Sequence, residues 1–316
     1  MTGDPAERGS PTTDLVVART RAELREVLEG WRRAGRRTAL VPTMGALHPG
    51  HLSLVEIAKR DSDAVAMSIF VNPLQFGPDE DLDRYPRSLD LDLQRAGDAG
   101  VRLVFAPEPG EVFPAGQPRV RVDPGALGDR LCGVHRPGHF TGVLTIVAKL
   151  LGLFQPDVAV FGRKDFQQAV LIRRMVGDLD LPVEIRVGPL VREADGLALS
   201  SRNAYLSRGE RRDALLLSQA LERAAVAFAK GESSPERLLA PARGILRSGA
   251  SVELQYLELV DPDTLEQPPL VRPGDVVAVA ALVGSTRLID NVVLGASEAD
   301  PRVGDASPAA AGRGAP

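Results

Sequence analysis

Residues 64–71 are almost continuously apolar, interrupted at Ser68. A strand with one wet face alternates apolar and polar side chains. An unbroken run therefore belongs to a strand covered on both faces, as in a parallel sheet flanked by helices. The surrounding segments agree. Strands are expected at 15–18, 38–42, 101–106, 158–161 and 183–187, with helices between them at 20–34, 50–60, 89–99, 141–154 and 166–178. The first helix opens on Thr20-Arg21-Ala22-Glu23, a capping box, and closes at Gly35. Such alternation implies helices on both faces of a parallel sheet.

The pattern changes after residue 190. Helices at 208–230 and 235–247 precede strands at 253–260, 276–282 and 286–291. The expected fold is thus α/β: a Rossmann-like parallel-sheet domain over 15–190 and a smaller C-terminal α+β domain over 191–295. Residues 1–14 and 296–316 are rich in Gly, Pro, Ala, Ser and Asp and are expected as disordered tails.

A hydrophobic content of 44% and a charged content of 25% in 316 residues describe an ordinary globular chain. The net charge of −4 offers no basic surface for nucleic acid. The longest apolar stretch, 143–154, is too short to cross a bilayer and is broken by Lys149. Cys132 is the only cysteine, which rules out an intrachain disulfide and suits a reducing cytoplasm. Residues 1–14 show no signal-peptide apolar core. A cytoplasmic protein without nucleic-acid or membrane partners is expected.

His48-Pro49-Gly50-His51 falls between an expected strand and an expected helix. A helix N-terminus presents unpaired N–H groups and a positive dipole end to an anion. Gly50 lets a phosphate approach the backbone, and two imidazoles can donate to phosphate oxygens as charge develops. The alternative is a turn carrying two surface histidines.

Asn72 and Gln75 lie just past the end of the apolar strand, at the sheet edge where α/β proteins bind ligands. Their amides both donate and accept, which suits a small hydroxyl- and carboxylate-bearing substrate; the alternative is an amide loop bonded to its own backbone. Arg136-Pro137-Gly138-His139-Phe140-Thr141-Gly142 precedes a helix. Arg136 is a candidate for a carboxylate or phosphate, His139 reads as part of a capping loop with Thr141 as N-cap, and His135 reads as surface. Gly162-Arg163-Lys164-Asp165 forms another strand–turn–helix junction, with Lys164 suited to phosphate oxygens, Asp165 to capping, and Gln168 one turn further on. Asp195-Gly196 followed by Leu199-Ser200-Ser201-Arg202-Asn203 suggests either a polyphosphate clamp or a serine-capped helix start, and the two are compatible. Among the acidic residues 79–92, Asp92 is the candidate Mg²⁺ ligand. No cluster has zinc spacing.

Taken in order, Pro42-Thr43-Met44-Gly45-Ala46-Leu47-His48-Pro49-Gly50-His51, Phe70-Val71-Asn72-Pro73 with Gln75, Arg136 to Phe140, Gly162 to Asp165, Leu199 to Asn203, and Thr286-Arg287-Leu288-Ile289-Asp290-Asn291 resemble the pantoate–β-alanine ligase (pantothenate synthetase) family of the HIGH/KMSKS nucleotidyltransferases. The resemblance spans about 15–295. Leu199 stands where the family often has Met or Ile. Arg163 replaces a frequent Glu, and its side chain is expected to point to solvent.

The resemblance implies that ATP, as substrate with Mg²⁺, activates (R)-pantoate as pantoyl adenylate with release of pyrophosphate. The amine of β-alanine then gives pantothenate and AMP. It implies catalytic roles for His51, His48, Lys164, Ser200, Ser201 and Arg202. It implies an ATP site built from Met44, Gly45, Ala46, Leu47, His48, Pro49, Gly50 and His51, completed by Gly162, Arg163, Lys164, Asp165, Val191, Leu199, Ser200, Ser201 and Arg202. Asn72, Gln75, Arg136 and Gln168 would hold the small substrate, and a homodimer through the larger domain is implied. A related transferase acting on a phosphate ester would want extra cations where this chain has amides.

Overall fold

The computed structural model describes residues 15–78 and 80–296. The expected tails at 1–14 and beyond 296, and Asp79, lie outside the described residues.

Six parallel strands form the first sheet: β1 (Val16–Ala18), β2 (Thr38–Thr43), β3 (Ala64–Ile69), β4 (Leu103–Phe105), β5 (Val158–Gly162) and β6 (Glu184–Gly188). Among the described residues this part carries seven α-helices: α1 (Arg21–Arg33), α2 (Pro49–Arg60), α3 (Leu89–Asp98), the single turns α4 (Pro109–Val112) and α5 (Cys132–His135), α6 (His139–Phe154) and α7 (Phe166–Asp178). α1 starts as its sequence requires: Glu23 N donates to Thr20 Oγ1 at 3.2 Å, and Thr20 N donates back to Glu23 Oε2 at 3.2 Å. α6 begins two residues before the expected N-cap. Gly138, at φ +78, is the N-cap instead of Thr141, so His139 becomes the first helical residue. Only a residue at ease in the left-handed region turns the chain there without strain.

The apolar run behaves as its composition dictates. Ala64 and Ala66 enter the core beneath α1, α6 and α7, while Val65 and Met67 enter the core beneath α2 and α3. Successive strand side chains alternate faces, so both faces of β3 are covered.

The strand order is β1-β4-β3-β2-β5-β6. From β2 the chain steps outward through β3 and β4, then returns to the other side of β2 through β5 and β6. The order therefore reverses between β2 and β5, and ligands bind outside the carboxyl ends of strands at such a switch point. β2 pairs with β3 along its whole length, from Thr38↔Ala64 to Thr43↔Ile69. Its pairing with β5 covers only Ala39↔Val158 and Leu40↔Ala159. Beyond Leu40 the two central strands part, and a cleft opens between their carboxyl ends.

The second part contains α8 (Arg208–Ala229), α9 (Pro235–Leu246) and the antiparallel strands β7 (Val252–Val260), β8 (Val276–Val283) and β9 (Thr286–Val293), in the order β7-β8-β9. Its central strand is buried on both faces. Val277, Val279, Ala281 and Val283 pack with α8 and α9, whereas Val276, Ala278 and Ala280 join the core of the first part. The second sheet is thus a layer between its own helices and the larger sheet. Among the described residues no helix is long and apolar enough to cross a membrane.

Candidate active site

The cleft between β2 and β5 has a volume of about 1360 Å³, including the space at its open mouth. Its floor is the β2–α2 turn. Gly45 and Ala46 both take positive φ, +86 and +50, so successive N–H groups point the same way. The anion they hold is internal: Ala46 N and Leu47 N each donate to the Asp92 carboxylate at 2.8 Å. Asp92 is 1% exposed, and a Cβ on Gly45 would stand 3.0 Å from its Oδ2. Arg95, one turn further along α3, donates to Leu47 O. The expected Mg²⁺ role for Asp92 is therefore corrected. Its oxygens are spent on backbone amides away from the cleft, and it anchors the turn.

The anchored turn presents the two histidines at the N-terminus of α2. Their rings stack with centroids 4.0 Å apart and 29° between planes. His48 N donates to His51 Nδ1 at 3.4 Å, which leaves the His51 proton on Nε2. A Cβ at residue 50 would lie 3.0 Å from the His48 ring, so glycine is what allows the ring to fold over the helix start. His48 Nδ1 is buried with no hydrogen-bond partner among the described residues. Both rings are neutral at pH 7. Burial first, and then the Lys164 charge, hold His48 at about 4; burial, His48 and Lys164 hold His51 at about 3.

Across the cleft, at the end of β5, stand Gly162, Lys164, Asp165 and Gln168. Asp165 occupies the N-cap position of α7, but its side chain makes no capping bond; its Oδ1 lies 3.9 Å from Lys164 Nζ. Arg163 departs from expectation. It is 4% exposed and off the cleft wall, because a 3₁₀ turn fans successive side chains about 120° apart, and that of Arg163 falls into the protein while Lys164 and Asp165 face the cleft.

One side wall carries the amides. Asn72 Nδ2 donates to Gln75 Oε1 at 3.0 Å and to Gly142 O at 3.2 Å, and Gln75 Nε2 lies 3.1 Å from Met44 Sδ. Gly142 is required here, since a Cβ would fall 2.1 Å from Leu74 O. Arg136 and His139 complete the wall. Arg136 is held by Glu80, with Nε–Oε1 at 2.6 Å and Nη2–Oε2 at 2.5 Å. His139 is no bystander of a capping loop: its ring lines the cleft, lies 2.9 Å from Arg136 Nη1 and 2.8 Å from Gln75 O, and burial lowers its pKa to about 4. His135 is exposed, as expected.

The opposite wall is the loop before α8. Val191, Leu199, Ser200, Ser201 and Arg202 all line the cleft. Ser200 Oγ accepts from Arg202 N at 3.2 Å and so caps the turn Ser201–Tyr205. Ser201 Oγ donates to Tyr85 Oη at 3.2 Å, and Arg202 is bridged to Asp81.

Most expected site residues thus meet in one cavity: Met44, His48, Gly50 and His51 from the floor, Asn72, Gln75 and Arg136 from the amide wall, Lys164 and Gln168 from the end of β5, and the serine loop from the wall opposite the amides. Gly45, Ala46, Leu47 and Pro49 shape the turn without lining it. Tyr85, Glu80 and Asp81 were not anticipated individually, because an acidic loop carries no local signal of its partners. Among the described residues, no group of three or more His, Cys, Asp or Glu has the arrangement to hold a metal ion.

A parallel-sheet switch point with a histidine pair at a helix start, faced by a lysine turn and a hydroxyl–arginine loop, defines a nucleotide-binding α/β protein equipped to act on phosphates. The sequence model of the family described as pantoate-beta-alanine ligase matches residues 16–293, and the chain belongs to that family. It is 53% identical over 301 residues to a pantothenate synthetase of a Nocardioides species, covering 93% of this chain and 89% of the relative. It is 47% identical over 281 residues to a Thermoanaerobacter pantothenate synthetase, covering 89% and 99%. The crystal structure of pantothenate synthetase from Thermus thermophilus superposes with a TM-score of 0.84 at 45% identity, over 88% of this chain and 99% of that one. The Francisella tularensis pantoate-beta-alanine ligase, complexed with beta-gamma ATP and beta-alanine, gives 0.75 at 31% identity, over 90% and 99%.

Proposed function

We propose that this cleft joins (R)-pantoate to β-alanine with ATP, through pantoyl adenylate, giving pantothenate, AMP and pyrophosphate. The observation that carries the reading is the convergence of the neutral His48–His51 pair, Lys164 and the Ser200-Ser201-Arg202 loop on the gap where β2 and β5 part. A carboxylate is a poor electrophile, and adenylation supplies a leaving group. The protein's task is then to align two anions and stabilise the charge that grows between them.

In this reading the triphosphate lies over the N-terminus of α2. His51 Nε2–H and His48 donate to the α-phosphate, and Lys164 meets the phosphate oxygens with a compact charge. Ser200, Ser201 and Arg202 close over the pyrophosphate. Gln75, Asn72 and Gln168 hold pantoate with its carboxylate toward the α-phosphorus. Arg136 orients the amide wall through Gln75 O (3.2 Å) while paired with Glu80. Neutral imidazoles suit this chemistry, because each keeps one ring N–H to donate to a phosphate oxygen.

Mg²⁺ fits as an ion brought by the triphosphate, with Asp165 the carboxylate on the cleft wall, and it would neutralise phosphate charge there. The part over 191–295, which carries the serine loop, would serve as the lid domain on the 15–190 domain. A homodimer working in the cytoplasm completes the proposal.

The test is a product assay with ATP, pantoate and β-alanine. Pantothenate, AMP and pyrophosphate in equal amounts support the reading. Hydrolysis of ATP to ADP, or turnover indifferent to pantoate, overturns it.

A further inference from the structure

Asn291 lies on β9, in the second sheet and far along the chain from the cleft motifs, and it does not line the cleft. Its side chain is nevertheless committed to the site. Asn291 Nδ2 donates to Arg163 O at 3.0 Å and to Lys164 O at 3.2 Å. The residue is 2% exposed. Its main-chain N donates to Asp290 Oδ1 at 2.7 Å, and Asp290 in turn binds Arg192 at 2.7 and 3.2 Å. The amide is therefore fixed at its base and gripping two consecutive carbonyls at its tip.

We propose that Asn291 is a positioning residue for Lys164, holding the lysine's main chain from the second sheet so that its ammonium stands in the cleft. Three observations converge. First, Arg163–Asp165 is a single 3₁₀ turn between β5 and α7. Such a turn has poor internal hydrogen-bond geometry and relies on outside support. Second, the Lys164 ammonium sits at the end of a flexible four-carbon stem. It has no partner closer than Asp165 at 3.9 Å among the described ion pairs, so the main chain sets where that stem begins. Third, Asn291 Oδ1 is buried without a hydrogen-bond partner among the described residues. An unsatisfied buried acceptor is unfavourable. A leucine of similar shape would avoid it, but would donate nothing to the two carbonyls. What the amide supplies that a leucine lacks is the pair of N–H donations to the lysine turn.

The inference rests on the reading of Lys164 as a phosphate ligand. It places one determinant of adenylation in the second sheet, on the strand whose other end pairs with β8 at Val283↔Thr286.

The test is a double-mutant cycle read by single-turnover, pantoate-dependent release of pyrophosphate from ATP. Asn291→Leu should slow this step by about 10- to 100-fold, the scale of a displacement near 1 Å at a reacting centre. The KM for pantoate should stay within about twofold of the parent. In a Lys164→Ala background, adding Asn291→Leu should change the rate by less than about twofold, since there is no ammonium left to misplace. Effects that multiply in the double variant would show that Asn291 acts independently of Lys164 and overturn the proposal, as would a parental rate for Asn291→Leu. Should Asn291→Leu fail to fold, Asn291→Ser keeps one small donor. It must show a partial loss that likewise vanishes without Lys164, and multiplicative losses there count against the proposal. A parental rate for Lys164→Ala would overturn both the role of the lysine and this inference. A slow Lys164→Ala enzyme with a multiplicative cycle overturns the inference alone.

Discussion

Arg202 and Asp81 meet through two parallel bonds, Nε to Oδ2 at 2.8 Å and Nη2 to Oδ1 at 2.7 Å, with the guanidinium also 5.9 Å above the Tyr85 ring. Burial works to raise the Asp81 pKa, but the hydrogen bond and charge of Arg202 outweigh it and hold the carboxyl below its usual range. The cation assigned to pyrophosphate is thus already matched by a carboxylate in the free protein. Asp81→Asn should therefore lower the stability of the free enzyme by about 1–3 kcal/mol, the cost of leaving a partly buried charge without its partner. It should also tighten ATP binding by about fivefold or more, because phosphate no longer competes with Asp81. Calorimetric titration with ATP checks this; weaker ATP binding in the variant would mean that Asp81 assists the nucleotide.

His51→Ala should leave the fold intact and slow pantoyl adenylate formation by about 100- to 1,000-fold, as loss of a donor to a developing oxyanion does. Rapid-quench measurement of the intermediate decides it. A rate near the parent's would remove His51 from the chemistry.

The three cleft histidines also fix a pH dependence. His48, His51 and His139 titrate at about 4, about 3 and about 4 in the folded chain, below the ordinary value of 6.5. Unfolding then takes up protons between those values, so their contribution to stability is whole above about pH 6.5 and is lost as pH falls toward 4 and 3. Imidazole NMR should show all three rings neutral at pH 5.5, and urea midpoints should fall between pH 7 and pH 5. A ring titrating near 6.5 would contradict the desolvated cleft.

Gln75→Ala should raise the KM for pantoate by roughly 5- to 150-fold, the kinetic equivalent of about 1–3 kcal/mol for an unpaired buried group, and should move the KM for ATP much less. Equal changes for both substrates would place the amide wall beside the nucleotide instead.

Asp92→Asn removes one acceptor from the Gly45–Leu47 turn. It should cost about 2 kcal/mol of stability, the scale for a hydrogen bond to a charged group. Mg²⁺ without ATP should not shift the melting temperature of the parent protein. A clear Mg²⁺ shift that disappears in the variant would restore Asp92 as a metal ligand.

Much of the fold was legible because it follows from local patterns. The apolar run at 64–71, the Thr20 capping box and the alternation through residue 188 each reflect short-range physics, and the observed strands differ from expectation by a few residues at their ends. The histidine turn, the amide loop and the serine loop were legible because their residue types are chemically distinctive. What stayed hidden depends on distant partners. Asp92 looks like one acid among many until Ala46 and Leu47 donate to it. Arg163 looks solvated until the turn buries it. Asn291 gives no hint that it holds a loop 127 residues away. The Gly138 cap was missed because a threonine cap and a left-handed glycine compete for the same helix start, and the glycine prevailed.

The central claim is that pantoate attacks the α-phosphorus of ATP in this cleft, and isotope transfer tests it most directly. Pantoate labelled with ¹⁸O in its carboxylate is taken through a single turnover with ATP and β-alanine, and the phosphorus products are analysed by mass. The account predicts one ¹⁸O in AMP and none in pyrophosphate. Label in inorganic phosphate, or AMP free of label, would contradict it.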